Sequence, residues 1–152
     1  MKRSPGEEQI LTNLGPSKFS GEGFLGDDNR SLEEVIASDL RALEASGLTN
    51  KQLVEALRDV YDRAIEAYGA AIEIAPDVTA AYYESRGKIP CPFRGHGAFE
   101  KGEVVLMDLS TDQSLSITSL SIHLIERHDF FQGIGAPYRI DPKMVAEMLN
   151  LL

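Results

Sequence analysis

The sequence contains a single cysteine, Cys91, so the chain cannot form an internal disulfide. It also lacks any apolar run approaching the roughly 20 residues that a membrane-spanning helix needs. The first residues, MKRSPGEEQILTNLG, contain two basic side chains but no apolar segment typical of a secretory signal. These absences predict a cytoplasmic protein without a membrane partner, in which Cys91 is reduced or binds a metal.

Basic residues are also scarce. Residues 1–90 carry 10 basic and 16 acidic side chains, residues 91–152 carry 5 and 8, and the net charge is −9. Proteins that bind nucleic acids or anionic membranes use lysine and arginine to neutralise the negative charge of their partner. We therefore expect no nucleic-acid partner. The length of 152 residues with 43% apolar residues fits one domain that buries an ordinary core.

The first 30 residues are polar and rich in Gly, Pro and Ser, which predicts a flexible N-terminal arm. Within them, Gly21, Gly23 and Gly26 match the pattern G-x-G-x-x-G. This pattern binds dinucleotides when a strand precedes it and a helix opens directly from its last glycine. Here the next predicted helix starts later, near Ser31. We interpret the glycines as part of a turn-forming loop.

Residues 31–75 predict a helical hairpin. Ser31 with Glu34, and Thr49 with Gln52, have the spacing of capping boxes, and Gly47 is suited to end the first helix. Apolar residues recur at helical spacing in both segments, and the second helix should end near residue 69 or continue to 74. The second helix has more acidic than basic residues. We therefore interpret the pair as a packing or dimerising αα-hairpin, not as a DNA-reading helix-turn-helix.

After a connection over residues 76–90, residues 91–152 predict a second unit. Segments 103–109 and 114–118 are β-prone and flank a polar turn, and helices are predicted over 119–129 and 142–150. The aromatic segment 130–138 fits either a binding loop or core packing, and we favour packing. Together these elements predict an α+β fold, in which an αα-hairpin accompanies a β-hairpin, a helix and a terminal helix.

The cysteine and all three histidines of the chain lie within 38 consecutive residues. They form two pairs, Cys91 with His96 and His123 with His128, each with four residues between its members. Zinc prefers thiolate and imidazole ligands and often takes them as two close pairs. Positions five apart on an ideal helix differ by about 140° around its axis, so we expect the helix to tighten or end at His128. The pattern predicts a metal site formed by these four residues.

The order C-P-F-x2-H, hairpin, helix and H-x4-H resembles the ββα zinc finger over about a third of the chain. In that family a second cysteine normally occupies the position of His96, and the spacer between the pairs is shorter. The resemblance implies a structural zinc ion held by Cys91, His96, His123 and His128. It also implies a non-enzymatic interaction or regulatory protein, for which we expect a protein partner or self-association, such as a homodimer. The rest of the chain resembles uncharacterised bacterial proteins, which implies no activity.

The alternative is a small hydrolase. An open zinc site needs three protein ligands, a water molecule and a general base, for which Glu126 or Asp129 is a candidate. In a second enzymatic interpretation, Cys91 is a nucleophile and one of the histidines is its base. The simplest interpretation places the four residues in an ordinary core and loop, because a free cysteine is often a buried apolar residue.

Overall fold

The computed structural model describes residues 5–15, 23–93 and 97–152, and the fold is α+β. The helices are α1 (Pro5–Leu14), α2 (Leu32–Ala45), α3 (Asn50–Glu66), α4 (Ser119–His128) and α5 (Pro142–Met148). The strands are β1 (Ile72–Ala75), β2 (Val78–Tyr83), β3 (Lys88–Pro90), β4 (Ala98–Glu100), β5 (Glu103–Asp108) and β6 (Gln113–Thr118). No helix in the described ranges has both the length and the apolar character needed to cross a membrane.

The strands form two antiparallel sheets. The larger sheet has the order β1-β2-β5-β6, and the smaller one is the hairpin of β3 and β4. Tyr83 at the end of β2 lies opposite Glu103 at the start of β5. The intervening chain, which contains the β3–β4 hairpin, therefore leaves the large sheet and rejoins it at the same point.

One face of the large sheet is buried against α3. Along β5, Val104 and Leu106 are fully buried and alternate with half-buried residues, and β6 repeats this with Leu115 and Ile117. This period of two is typical of a strand with one face in the core. We call this packed region the sheet core. Its further buried members include Leu43, Leu53, Val54, Leu57, Val60, Tyr61, Ala64, Val78, Ala80, Ile122, Ile125, Phe131, Ile140, Val145 and Met148.

A second apolar cluster lies beside the β3–β4 hairpin, and we call it the hairpin cluster. It contains Leu14, Phe24, Val35, Cys91, Leu120, Leu124 and Phe130. Helix α4 separates the two regions, because Ile122 and Ile125 face the sheet core while Leu120 and Leu124 face the hairpin cluster. Apolar residues therefore cover more than one face of this helix.

The helical hairpin and the C-terminal elements agree closely with the sequence analysis. Ser31 caps α2, and Thr49 with Gln52 forms a complete capping box at α3. Helix α3 ends at Glu66, so the alternative in which it continues to residue 74 is wrong. A strand pair follows instead, and it turns at Asp77, whose φ of 63° is left-handed. Strands β2 and β3 also occupy most of the predicted connection over 76–90.

The structure differs from the irregular arm predicted for residues 1–30. Residues 5–14 form a helix, and Leu14 is fully buried in the hairpin cluster, with Ile10 and Leu11 packed against it. These three residues have helical spacing, but their stripe is short and the surrounding composition is polar. Packing on the hairpin cluster therefore stabilises a helix that local sequence signals only weakly.

A buried ion pair joins α2 to the segment that follows α4. Arg139 donates hydrogen bonds to both carboxylate oxygens of Asp39 at 2.8 Å and to the carbonyl oxygen of Gln132 at 2.7 Å. Asp39 is only 3% exposed. A guanidinium and a carboxylate in this bidentate geometry satisfy each other inside the protein. The contact fixes the backbone at Gln132, which lies in the segment next to the hairpin cluster.

Candidate metal centre

Cys91 lies directly after β3, where the hairpin holds it against α4. Its backbone N–H donates to the carbonyl oxygen of Gly97 at 3.3 Å, and its side chain is 5% exposed. Burial raises the pKa of the Cys91 thiol, and a hydrogen bond from the backbone N–H of Phe93 offsets part of this effect. The metal-free thiol is therefore protonated at neutral pH, and binding of a cation would favour the thiolate.

His123 and His128 both lie on α4. The helix ends at His128, and Asp129 adopts a left-handed conformation with φ 52° and ψ 28°. The two imidazole rings have centroids 5.5 Å apart and are nearly perpendicular. The expectation that the helix ends at His128 is confirmed, and this ending allows positions five apart to present their rings to the same region.

The three side chains converge on one point. One ligand atom from each of Cys91, His123 and His128 lies within 4.8 Å of the others, and Cys91 Sγ is 3.7 Å from His128 Nε2. Zinc bonds of about 2.3 Å to sulfur and 2.0–2.1 Å to nitrogen, at tetrahedral angles, separate those atoms by about 3.6 Å. The observed spacing therefore matches two ligands of one zinc ion. The group can hold a metal.

Aromatic rings surround the imidazoles. Phe93 stacks on His128 with centroids 4.1 Å apart, and Phe99 lies 4.5 Å from His123. Phe130 contacts the edge of Phe93. These contacts fix the orientation of both imidazoles and limit the access of water. His123 is 9% exposed, so a bound ion would lie in a largely dry environment.

The structure brings together three of the four predicted ligands, Cys91, His123 and His128. His96 lies in residues 94–96, outside the described residues. The zinc-finger arrangement itself is not established. In that family the first ligand pair lies on the hairpin that leads into the helix. Here the hairpin that leads into α4 is β5 and β6 of the large sheet, whereas Cys91 directly follows β3 of the separate β3–β4 hairpin.

The two candidate general bases have other contacts. Glu126 accepts two hydrogen bonds from Arg58 of α3, at 2.7 and 3.0 Å. Asp129 accepts a hydrogen bond of 2.6 Å from the side chain of Asn50, at the start of α3. Both carboxylates therefore interact with side chains of α3.

A cleft that no sequence motif predicted adjoins this centre. Its polar lining includes Glu84, Glu100, Glu103 and Gln132, which lie in four different segments. No local motif connects these positions. The aromatic segment 130–138, which contributes Gln132 and Tyr138 to the lining, was the only sequence feature that pointed to a binding site. Within this segment the predicted packing is confirmed for Phe130 and Phe131, which are 0% and 1% exposed.

No protein-family model matches the chain, and neither the search of curated proteins nor that of solved structures finds a match.

Proposed function

We propose that Cys91, His123 and His128 bind one zinc ion, and that this ion fixes the β3–β4 hairpin onto α4 as a structural site. The convergence of the three ligand atoms carries the proposal. One thiolate and two imidazoles form a donor set that zinc prefers. Magnesium and calcium instead select oxygen ligands. The protein then acts as a non-enzymatic, zinc-stabilised interaction or regulatory protein.

We assign His96 as the fourth ligand. The C-x4-H spacing with Cys91 supports this assignment, and residue 96 itself lies outside the described part of the chain. Four protein ligands close a structural zinc site, whereas three ligands and a water molecule are typical of a catalytic one. The identity of the fourth ligand therefore separates a structural role from hydrolysis.

The hydrolase alternative has less support. A hydrolytic zinc site needs a base near the metal-bound water, and Glu126 and Asp129 are held by Arg58 and Asn50 instead. A nucleophilic cysteine needs a lowered pKa, whereas burial raises the pKa of Cys91. These contacts favour a structural ion.

Elemental analysis tests the proposal on protein purified without a metal-affinity column under reducing conditions. We expect about one zinc per chain, and its loss together with a lower Tm in Cys91→Ser and His123→Ala. Glu126→Ala is the matched control, because it changes an exposed residue of the same helix and should retain zinc. Absence of zinc from the unaltered protein, even after zinc is supplied, would refute the proposal.

The variant His96→Ala distinguishes the two roles. If His96 is the fourth ligand, zinc affinity should fall by tenfold or more, as in His128→Ala. If affinity is unchanged and the zinc-bound protein hydrolyses ester substrates, the site is open and the structural role is wrong.

Hydrogen exchange measures the structural effect directly. The amides of Cys91 and Lys101, which hydrogen-bond to Gly97 and Gly87, should exchange more slowly when zinc is bound. The amides of β5 and β6 should show much smaller changes. Equal changes in both regions would indicate that the ion stabilises the whole fold instead of the hairpin.

A protein partner or a second copy of this chain is part of the proposed role. The αα-hairpin was expected to supply the apolar surface for self-association, but its stripe packs within the chain, with Leu53, Leu57 and Val60 in the sheet core. A partner would therefore use another surface. Analytical ultracentrifugation of the zinc-bound protein across a hundredfold concentration range tests for a dimer, and a constant monomer mass would exclude self-association over that range.

A further inference from the structure

A cleft of about 330 Å³ lies between the β3–β4 hairpin and the adjoining ends of β2 and β5. Its apolar wall consists of Phe24, Ile89 and Leu120, which belong to or pack against the hairpin cluster. The three converging metal ligands do not line it. The volume is within the usual range for a small-molecule site. The cleft is therefore a neighbour of the metal centre, formed by different residues.

The side chain of Gln132 is the most informative part of the lining. Gln132 is 3% exposed and has a left-handed backbone with φ 73°. Its carbonyl oxygen accepts a hydrogen bond from Arg139, but among the described residues its side-chain amide has no hydrogen-bond partner. The Gln132 amide is not among the fully buried unpartnered atoms of the described residues, so it is in contact with the space of the cleft. A ligand in the cleft would supply the missing hydrogen bond.

The charge of the cleft is negative. Among the residues that the structure describes, Glu84, Glu100 and Glu103 line it together with one cation, Lys101. Within the described ranges, none of these three carboxylates forms a salt bridge. Burial raises the pKa of Tyr138, and the nearby Glu103 carboxylate raises that pKa further. The lining therefore offers acceptors for a positively charged group.

Aromatic faces accompany these acceptors. Tyr83 and Tyr138 lie on the rim and are 56% and 37% exposed, and Phe24 lies deeper, at 7%. Cations bind favourably to aromatic faces, and apolar stems pack against them. A ligand with a cationic head and a short hydrocarbon stem satisfies both kinds of wall.

We propose that this cleft binds a small organic amine, with its ammonium group at Glu100, Glu103 and Gln132 and its apolar stem against Phe24 and Leu120. A primary ammonium has three donors and no acceptor, which matches two carboxylates and one amide oxygen. The three converging metal ligands do not line the cleft, but Ile89 and Glu100 belong to the β3–β4 hairpin that the proposed zinc ion fixes, so the inference rests on the proposed function in that respect and is tested on zinc-supplied protein.

NMR titration of the full-length, zinc-supplied protein tests the proposal with n-pentylamine and 1-pentanol as probes. The two molecules have the same stem, but only the amine is charged at neutral pH. We expect the amine to bind at least tenfold more tightly, with shift changes at Tyr83, Gln132 and Tyr138. Equal binding of the two probes, or no binding of n-pentylamine or 1,5-diaminopentane at millimolar concentrations, would overturn it.

Variants identify the groups that bind the ammonium. Glu100→Gln combined with Glu103→Gln should weaken n-pentylamine binding at least tenfold and leave 1-pentanol unaffected. Glu55→Gln combined with Glu147→Gln is the matched control, because it also removes two charges, from exposed positions on α3 and α5. A loss of equal size in this control would show that only the overall charge attracts the amine.

Gln132→Leu tests the buried amide. This variant keeps the side-chain size, so we expect it to fold and to bind the amine several-fold more weakly, with no loss for 1-pentanol. Amide spectra confirm folding before each titration. Unchanged amine affinity in folded Gln132→Leu would remove Gln132 from the site and contradict the proposed arrangement.

Discussion

The sheet core and the hairpin cluster differ in how their elements are held in place. The sheet core draws buried residues from α3, α4, α5 and a four-stranded sheet. The β3–β4 hairpin has strands of only three residues, and an isolated hairpin of that size is not stable in water. The β3–β4 hairpin lies beside Cys91, His123 and His128 and the rings of Phe93 and Phe99. Apolar packing is therefore sufficient where several strands pair, whereas a hairpin with such short strands needs further contacts, such as those of Phe93 and Phe99 with the imidazoles.

The strongest test of this comparison is a truncation in the sheet core. Leu106 is fully buried on β5, and we expect Leu106→Ala to lower the free energy of unfolding by about 3 kcal/mol through lost burial and a cavity. The loss should be the same with zinc and with a chelator, because Leu106 is in the region without metal ligands.

Urea denaturation in both conditions measures this loss. Met107→Ala, at the neighbouring half-buried position, is the control and should cost less than about 1 kcal/mol. A zinc-dependent loss for Leu106→Ala would show that the two regions are not energetically distinct.

A second test concerns the close backbone contact of Gly133 with Phe24 and Leu25, next to the hairpin cluster. A Cβ at Gly133 would lie 2.1 Å from the carbonyl oxygen of Leu25, next to Phe24. Because this neighbour is backbone, we expect Gly133→Ala to cost about 2–3 kcal/mol. Gly47→Ala, with φ 76° and open space around it, should cost only about 1 kcal/mol. Thermal denaturation compares the two, and equal losses would mean that the segment at Leu25 moves freely.

The third test uses alkaline pH against the sheet core. Burial raises the pKa of Tyr61 to about 12. The neutral phenol is favoured in the folded state, so its stabilising effect is complete below the ordinary pKa of about 10 and is lost as pH rises toward 12. Between pH 10 and pH 12, the free energy of unfolding of Tyr61→Phe should therefore fall by up to about 2 kcal/mol less than that of the unaltered protein. Parallel alkaline denaturation curves for the two proteins would contradict this.

The smallest effect is expected at the surface between α3 and α4. Arg58 and Glu126 form a pair whose side chains are 48% and 39% exposed. Such pairs contribute about 0–1 kcal/mol, because water screens them. Arg58→Met retains the apolar stem and should change Tm by only a few degrees in low salt, and by less in high salt. A larger loss would show that this pair, and not apolar packing, joins the two helices.

Local signals account for the elements that could be predicted from the sequence. The capping boxes at Ser31 and Thr49 and the alternation through Leu115 and Ile117 depend on neighbouring residues, and the structure has these elements. By contrast, α1 and β1 depend on distant contacts. Leu14 is buried by residues far along the chain, and the turn between β1 and β2 needs a left-handed Asp77.

The candidate site follows the same division. The spacing of His123 and His128 predicts that they form a pair, and Cys91 lies within the same 38 consecutive residues. The hairpin that positions Cys91 was missed, because its strands are short and Pro90 forms part of one. The amine cleft could not be predicted, because Glu84, Glu103 and Gln132 become neighbours only after the sheet and the hairpin form.

Tyr83 of β2 and Glu103 of β5 are directly paired, which suggests an order in which the elements of this chain fold. Strands β2 and β5 can pair as soon as the loop between them closes, and loop closure costs little more for a long loop than for a short one. The β3–β4 hairpin is thus an insertion between β2 and β5, and the four-stranded antiparallel sheet is complete without it. Replacing residues 84–102 by a short turn should leave a foldable scaffold, and docking of the insertion on α4 would then be the last step of assembly.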